Sequence, residues 1–116
     1  MRHEERLAGI NQRLADIVRK AETYLDFELL VVEGLRDKER QKVLVAKGAS
    51  RTLNSKHLIG RAVDLAPIIE GDVRWDWPLF DRINAAMQKA ADDFNTVLIW
   101  GGDWRRFRDG VHWELK

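Results

Sequence analysis

At 116 residues the chain has the length of one domain, long enough to bury a core without staples. Hydrophobic residues make up 45% and charged residues 34%, the balance of an ordinary globular domain. Twenty basic against 19 acidic residues leave a net charge of +1, which argues against nucleic acid as a partner, and the densest basic spot (Arg105-Arg106 with Arg108) is short and interrupted.

Cysteine is absent, so there is no disulfide framework, thiolate metal site or cysteine nucleophile. Any metal must be held by His, Asp or Glu, and the redox compartment stays open. The N-terminus, Met1-Arg2-His3-Glu4-Glu5-Arg6, is charged and unlike a secretory leader. No run approaches the length of a membrane span, so stable membrane insertion is not expected.

In chain order, Leu7, Ile10, Leu14, Ile17, Val18, Ala21 and Leu25 recur at three- and four-residue steps, which predicts an amphipathic helix over 3–25. Phe27 to Val32 reads as a buried strand. Asp37 is placed to cap a helix running to about Lys47 and stopped by Gly48. Arg36 stands at that strand-to-helix corner. Residues 49–58 lack periodicity and read as an exposed loop. Arg61 to Ala66 alternates as a strand ended by Pro67, and Ile68 to Trp75 reads as a turn or short hairpin. Asp76 then caps a helix with Pro78 in its first turn, and Leu79, Ile83, Ala86, Met87, Ala90 and Phe94 form its apolar stripe. Thr96 to Trp100 is a further strand, Gly101 to Trp104 a sharp turn, and Val111 to Leu115 the closing strand. Three helices and short strands that do not strictly alternate predict a single α+β domain over 1–116, with a catalytic core over about 27–116.

Two short stretches carry the chemistry. Ser55-Lys56-His57-Leu58-Ile59-Gly60-Arg61-Ala62-Val63-Asp64 offers an imidazole and a carboxylate with a glycine turn between them. Asp109-Gly110-Val111-His112-Trp113-Glu114 offers a second imidazole and two more carboxylates. His57, Asp64 and His112 make a suitable three-ligand set for one catalytic zinc ion, which keeps a fourth position for water and brings the pKa of that water to about 7. A metal-bound water also needs a proton acceptor. Strand alternation places Glu114 on the same face as His112, while Asp109 lies three residues upstream of it. Spacing alone favours Glu114.

Ser55-x-His57-x-x-Gly60-x-Ala62-x-Asp64 resembles the signature of the M15 family of zinc peptidases. Trp100-Gly101-Gly102-Asp103-Trp104, Phe107 and Asp109-x-x-His112-Trp113-Glu114 are similar to its phage endolysin branch, the L-alanyl-D-glutamate peptidases. Glu33-Gly34-Leu35-Arg36 and Glu39-Arg40-Gln41 resemble the family's upstream arginine motif. The resemblance implies the small α+β fold shared by D-Ala-D-Ala peptidases and the hedgehog domain, with about three helices on a mainly antiparallel sheet. It implies zinc on His57, Asp64 and His112, Asp109 as general base and acid, and Arg36 as an oxyanion-stabilising or substrate-orienting group. Ser55 is expected to support the site by hydrogen bonding. Trp104 and Trp113 are expected either to wall the cleft or to pack in the core.

The implied substrate is the stem peptide of peptidoglycan, cut at L-Ala–D-Glu by a monomer that reaches the cell wall after holin-assisted release. Two alternatives stand beside this reading. One is a D-Ala-D-Ala carboxypeptidase or dipeptidase of the same family, and the other a non-catalytic wall-binding module on the same fold.

Overall fold

Strand β2 (Ala62–Ile69) is buried along all but its last residue, as expected of the apolar run Ala-Val-Asp-Leu-Ala-Pro-Ile-Ile. In the computed structural model, which describes residues 1–50 and 55–116, this strand is the centre of the molecule. It pairs on one side with β1 (Glu28–Glu33) and on the other with β5 (His112–Leu115), and β4 (Leu98–Trp100) pairs with β5. The two-residue β3 (Asp72–Val73) folds back on the far end of β2. Every pairing between these strands is antiparallel, giving the order β1-β2-β5-β4.

Pro67 does not end β2, contrary to the sequence expectation. It sits opposite Leu29 of β1 and supplies only its carbonyl, which accepts the Arg74 N–H at 3.0 Å. Proline is tolerated in a strand where the ladder needs no donor from it. The hairpin that follows turns on Glu70 and Gly71, both at positive φ (52° and 87°), a geometry that matches the twist of the flanking strands.

The helix expected over 3–25 is two elements. Residues Glu4–Leu7 form a single 3-10 turn, and the α-helix proper, α1, runs from Gln12 to Glu22. Gly9 at φ 84° breaks the path, and Asn11 restarts it by accepting the N–H groups of Arg13 and Leu14 at 2.9 and 3.3 Å. The apolar stripe nevertheless survives the break: Leu7, Ile10, Leu14, Ile17, Val18 and Ala21 are all buried. Periodicity reported the buried face correctly and the element wrongly.

Helix α3 (Trp77–Asp93) packs against α1 and the sheet. Ile83, Ala86, Met87 and Ala90 are buried as expected, joined by Phe80 and Ala91, while Leu79 and Phe94 are only half-buried. Trp113 belongs to this core. Its ring is stacked on Trp100 with centroids 6.1 Å apart, and its indole N–H donates to Asn84 Oδ1 at 3.1 Å.

Helix α2 (Lys38–Ala46) behaves differently. Asp37 caps it by accepting the Arg40 N–H at 2.7 Å, yet Gln41 is its one buried residue. It therefore flanks a cleft rather than filling the core. Of the expected exposed loop, residues 51–54 lie outside the described residues, and Lys56–Ile59 is a 3-10 turn that buries His57.

Gly34, just beyond β1, is where the N-terminal segment crosses closest. A Cβ there would stand 2.1 Å from the Arg6 carbonyl oxygen, which is backbone and has little freedom to yield. Gly34→Ala is expected to destabilise the fold by about 1–3 kcal/mol. Urea denaturation should show a lower midpoint at an unchanged slope.

Candidate metal centre

The pairing register of β2 and β5 sets Asp64 directly opposite His112, so the two side chains share one face of the sheet. His57 comes to the same point from the 3-10 turn. Ser55 caps that turn, its Oγ accepting the His57 N–H at 3.2 Å, and Gly60 closes it at φ 70°. The carbonyl of His57 accepts the Arg36 N–H at 2.9 Å, and the carbonyl of Gly60 accepts the Asn11 N–H at 2.8 Å. The turn is thus fastened on both sides, and His57 is 1% exposed.

Three atoms converge. His57 Nε2 lies 3.0 Å from Asp64 Oδ1 and 3.2 Å from His112 Nδ1, and those two are themselves 3.2 Å apart. Donors about 2.0–2.1 Å from a tetrahedral zinc ion stand roughly 3.3 Å from one another. The spacing fits such an ion with little rearrangement.

The outer nitrogens decide what the inner ones present. His57 Nδ1 is 2.8 Å from the Gly34 carbonyl oxygen, which can only accept, so the proton is on Nδ1 and the lone pair on Nε2. His112 Nε2 is 2.8 Å from Glu114 Oε1 and donates to it, leaving Nδ1 to face Asp64. Two imidazole nitrogens and a carboxylate oxygen then point at one spot. A proton on His112 Nδ1 or a cation at the centre reconciles them.

The electrostatics follow. Burial pushes the Asp64 carboxyl up, but its close contacts with the His112 and His57 rings outweigh this and bring it down to about 2. Burial pulls His112 down, and its hydrogen bonds to Asp64 and Glu114 more than offset this, so it is raised above the usual imidazole value. Glu114 is pushed up by burial but held below the usual range by Lys56 and His112. Both its oxygens are engaged, with Lys56 Nζ 2.9 Å from Oε2.

Asp109 reaches the cleft from the segment between β4 and β5. Its N–H donates to the Gly101 carbonyl at 2.9 Å and its own carbonyl accepts the His112 N–H at 3.2 Å. Burial, then the nearby charge of Asp64, raises its carboxyl above the ordinary value. Trp104 stands beside the centre, its ring 5.2 Å from that of His112. These residues and the metal-ligand candidates line one cleft of about 910 Å³.

Arg36 is buried, not a surface arginine. Its Nε and Nη2 donate to the two oxygens of Glu33 at 3.0 and 2.6 Å, and Nη1 donates to Gln41 Oε1 at 2.6 Å. Nη2 also lies 3.8 Å from Asp64 Oδ2. Gln41 in turn donates to Ser50 Oγ at 2.8 Å. Spacing did not single out Glu33 and Lys56 as partners in this network. A charged residue abutting each candidate site residue was the available signal, because buried charges require partners.

An α+β domain in which two imidazoles and one carboxylate converge in an open cleft carries a group that could hold a metal ion, the donor set that metal-dependent hydrolases use. Over residues 1–114 the chain matches the family of phage L-alanyl-D-glutamate peptidases, and it belongs to that family. It is 30% identical to the L-alanyl-D-glutamate peptidase of Escherichia phage T5, over 97% of this chain and 85% of that one. The L-alanyl-D-glutamate peptidase of Listeria phage A118 is 32% identical over 94% of this chain, which spans 40% of that protein. Among solved structures, the L-Ala D-Glu endopeptidase ChiX of Serratia marcescens superposes with a TM-score of 0.94 at 38% identity, covering 99% of this chain and 86% of the other. The D,D-pentapeptidase VanY, solved with Zn(II), shares the fold at a TM-score of 0.64 and 15% identity, over 91% and 72% of the two chains.

A metal at this centre would require His112 Nδ1 to be free of its proton, so metal affinity should rise with pH. Titrated by calorimetry between about pH 5 and 8, zinc should bind more tightly at each higher pH and release protons as it does so. Chelation at pH 7 should lower the melting temperature, in line with ligand linkage.

Proposed function

We propose that this chain is a zinc-dependent endopeptidase that hydrolyses the L-Ala–D-Glu bond of peptidoglycan stem peptides. The observation that carries the metal is the meeting of two imidazole nitrogens and one carboxylate oxygen at 3.0–3.2 Å, each imidazole oriented by an acceptor behind it. With no thiolate in the chain, an N/O donor set of this kind suits zinc, the ion with which the VanY neighbour was solved. The bond cleaved is the one in the printed names of the phage T5 and Serratia proteins.

His57, Asp64 and His112 would hold the ion. When bound, zinc supplies Lewis acidity, which activates water and polarises a carbonyl. The chain's own residues do the rest. Asp109, raised above the ordinary carboxylate value and set in the cleft wall, takes a proton from the attacking water and returns it to the departing D-Glu nitrogen. Glu114 does not compete for this role, since His112 and Lys56 occupy its oxygens; it fixes the ring of His112.

Arg36, held by Glu33 and Gln41, places positive charge at the cleft wall for the oxyanion that develops on the scissile carbonyl. Ser55 sets the backbone that delivers His57, and Trp104 walls the cleft beside His112. Among the described residues no helix is long and apolar enough to cross a membrane. The cell wall, reached after synthesis in the host, is the proposed place of action.

The test compares wild type and Asp109→Ala on purified peptidoglycan, each assayed for zinc, with products identified by mass spectrometry. Wild type should expose new L-Ala carboxyl and D-Glu amino ends. The variant should keep its zinc and lose activity by about 10²–10⁴-fold. Full activity in a zinc-loaded variant overturns Asp109 as base, and release of single D-Ala by the wild type overturns the bond assignment.

A further inference from the structure

Among the described residues four cationic side chains line the cleft, and two are already matched. Arg36 is clasped by both oxygens of Glu33, and Lys56 is bound to Glu114. Arg106 and Arg108 have no carboxylate within ion-pair distance among the described residues. They differ in one respect. Arg108 is held in place: its Nε donates to the Gly102 carbonyl oxygen at 2.8 Å, and its guanidinium carbon lies 4.2 Å from the centroid of the Trp77 ring. Trp77 is itself wedged edge-on against Trp100 and Phe80.

A guanidinium fixed through Nε and by stacking on one face keeps its two Nη groups for a ligand. Little side-chain freedom remains to be lost when that ligand binds. A planar carboxylate is the group that such a fork matches.

The proposed reaction dictates where a carboxylate arrives. Asp109 returns its proton to the nitrogen of D-Glu, so D-Glu lies on the Asp109 side of the cleft. In the stem peptide D-Glu continues through its γ-carboxyl, which leaves its α-carboxylate free two bonds from the scissile nitrogen. Phe107, in the left-handed region at φ 55°, turns the chain immediately before Arg108, and Arg108 and Asp109 both line the cleft.

We infer that Arg108, braced by Trp77 and the Gly102 carbonyl, binds the free α-carboxylate of the D-Glu residue and selects stem peptides in which that group is not amidated. This rests on the proposed endopeptidase reading. It adds a specificity-determining contact distinct from the metal ligands and the base.

The experiment uses two soluble muropeptides that differ at one group, L-Ala–D-Glu with a free α-carboxylate and L-Ala–D-isoglutamine with a carboxamide there. Wild type, Arg108→Gln, Arg108→Lys and Arg106→Gln are compared as zinc-loaded proteins of verified melting temperature. Wild type should prefer the carboxylate substrate by about 10–100-fold in kcat/KM, the range of a charge-assisted hydrogen-bonded pair.

Arg108→Gln should lose that preference by weakening the carboxylate substrate alone, leaving the amide substrate within about twofold. Arg108→Lys should keep part of the preference, and Arg106→Gln all of it. As a second readout, a D-Glu-γ-linked product peptide should inhibit wild type more strongly than its amidated form, and the two forms should inhibit Arg108→Gln equally. Equal rates on both substrates in wild type overturn the inference while leaving the endopeptidase standing. Equal losses on both substrates in Arg108→Gln, or loss of the preference in Arg106→Gln, overturn it as well. A wild type that cleaves neither substrate overturns the endopeptidase reading itself, and this inference with it.

Discussion

The cross-strand pair Asp64–His112 is the constraint from which the rest of the centre follows. In an antiparallel ladder only the register decides which side chains meet, and a slip of one residue turns every side chain to the opposite face. Here the register is fixed by the apolar neighbours of the pair. Val63 and Trp113 lie opposite each other on the core face, and Trp113 is locked by Trp100 and Asn84. Core packing on one side of the sheet thereby sets ligand geometry on the other. His57 needs no part in that sheet. It is brought in by a turn tied to the Arg36 N–H, the Gly34 carbonyl and the Asn11 N–H, so the N-terminal half of the chain holds the third candidate ligand against the C-terminal half.

A buried centre made of polar atoms is unfavourable unless every atom has a partner. Each atom of this centre has one. The imidazole nitrogens not facing the centre go to Gly34 and Glu114, and Glu114 goes on to Lys56. Lys56 donates in addition to the Leu115 carbonyl oxygen at 2.8 Å. Arg36 is matched by Glu33 and Gln41. No buried side-chain nitrogen or oxygen among the described residues lacks a hydrogen-bond partner. The network therefore holds the three candidate ligands in one arrangement, as a metal site would require.

Much of this could be read from the chain alone, and the misreadings have physical causes. The convergence of His57, Asp64 and His112 was legible because a cysteine-free chain with few histidines leaves little choice of candidate ligands, and the resemblance put the three in register. The choice between Asp109 and Glu114 as proposed base was not. Alternation correctly placed Glu114 beside His112, and the structure pairs it with that imidazole, which is what favours Asp109 in the proposed reading. Periodicity read the buried stripe from Leu7 to Ala21 as one helix, since an apolar face does not register a backbone break at Gly9. The polar stretch before Gly60 looked exposed. Its histidine is buried because a carbonyl and two ligand partners await it, and composition records none of these.

The metal-ligand candidates stand on β2, β5 and one fastened turn, whereas the proposed base, the bordering tryptophan and the two arginines without a carboxylate partner among the described residues all come from the single excursion 101–111 between β4 and β5. The proposed base and the proposed selectivity contact thus sit on one segment, apart from the strands and turn that present the metal-ligand candidates. Exchange of that one excursion is a short evolutionary step to a different cleavage preference, because neither the sheet register nor the donor atoms have to be rebuilt. For the same reason it is the natural graft point for an engineer who wants this frame to cut another bond.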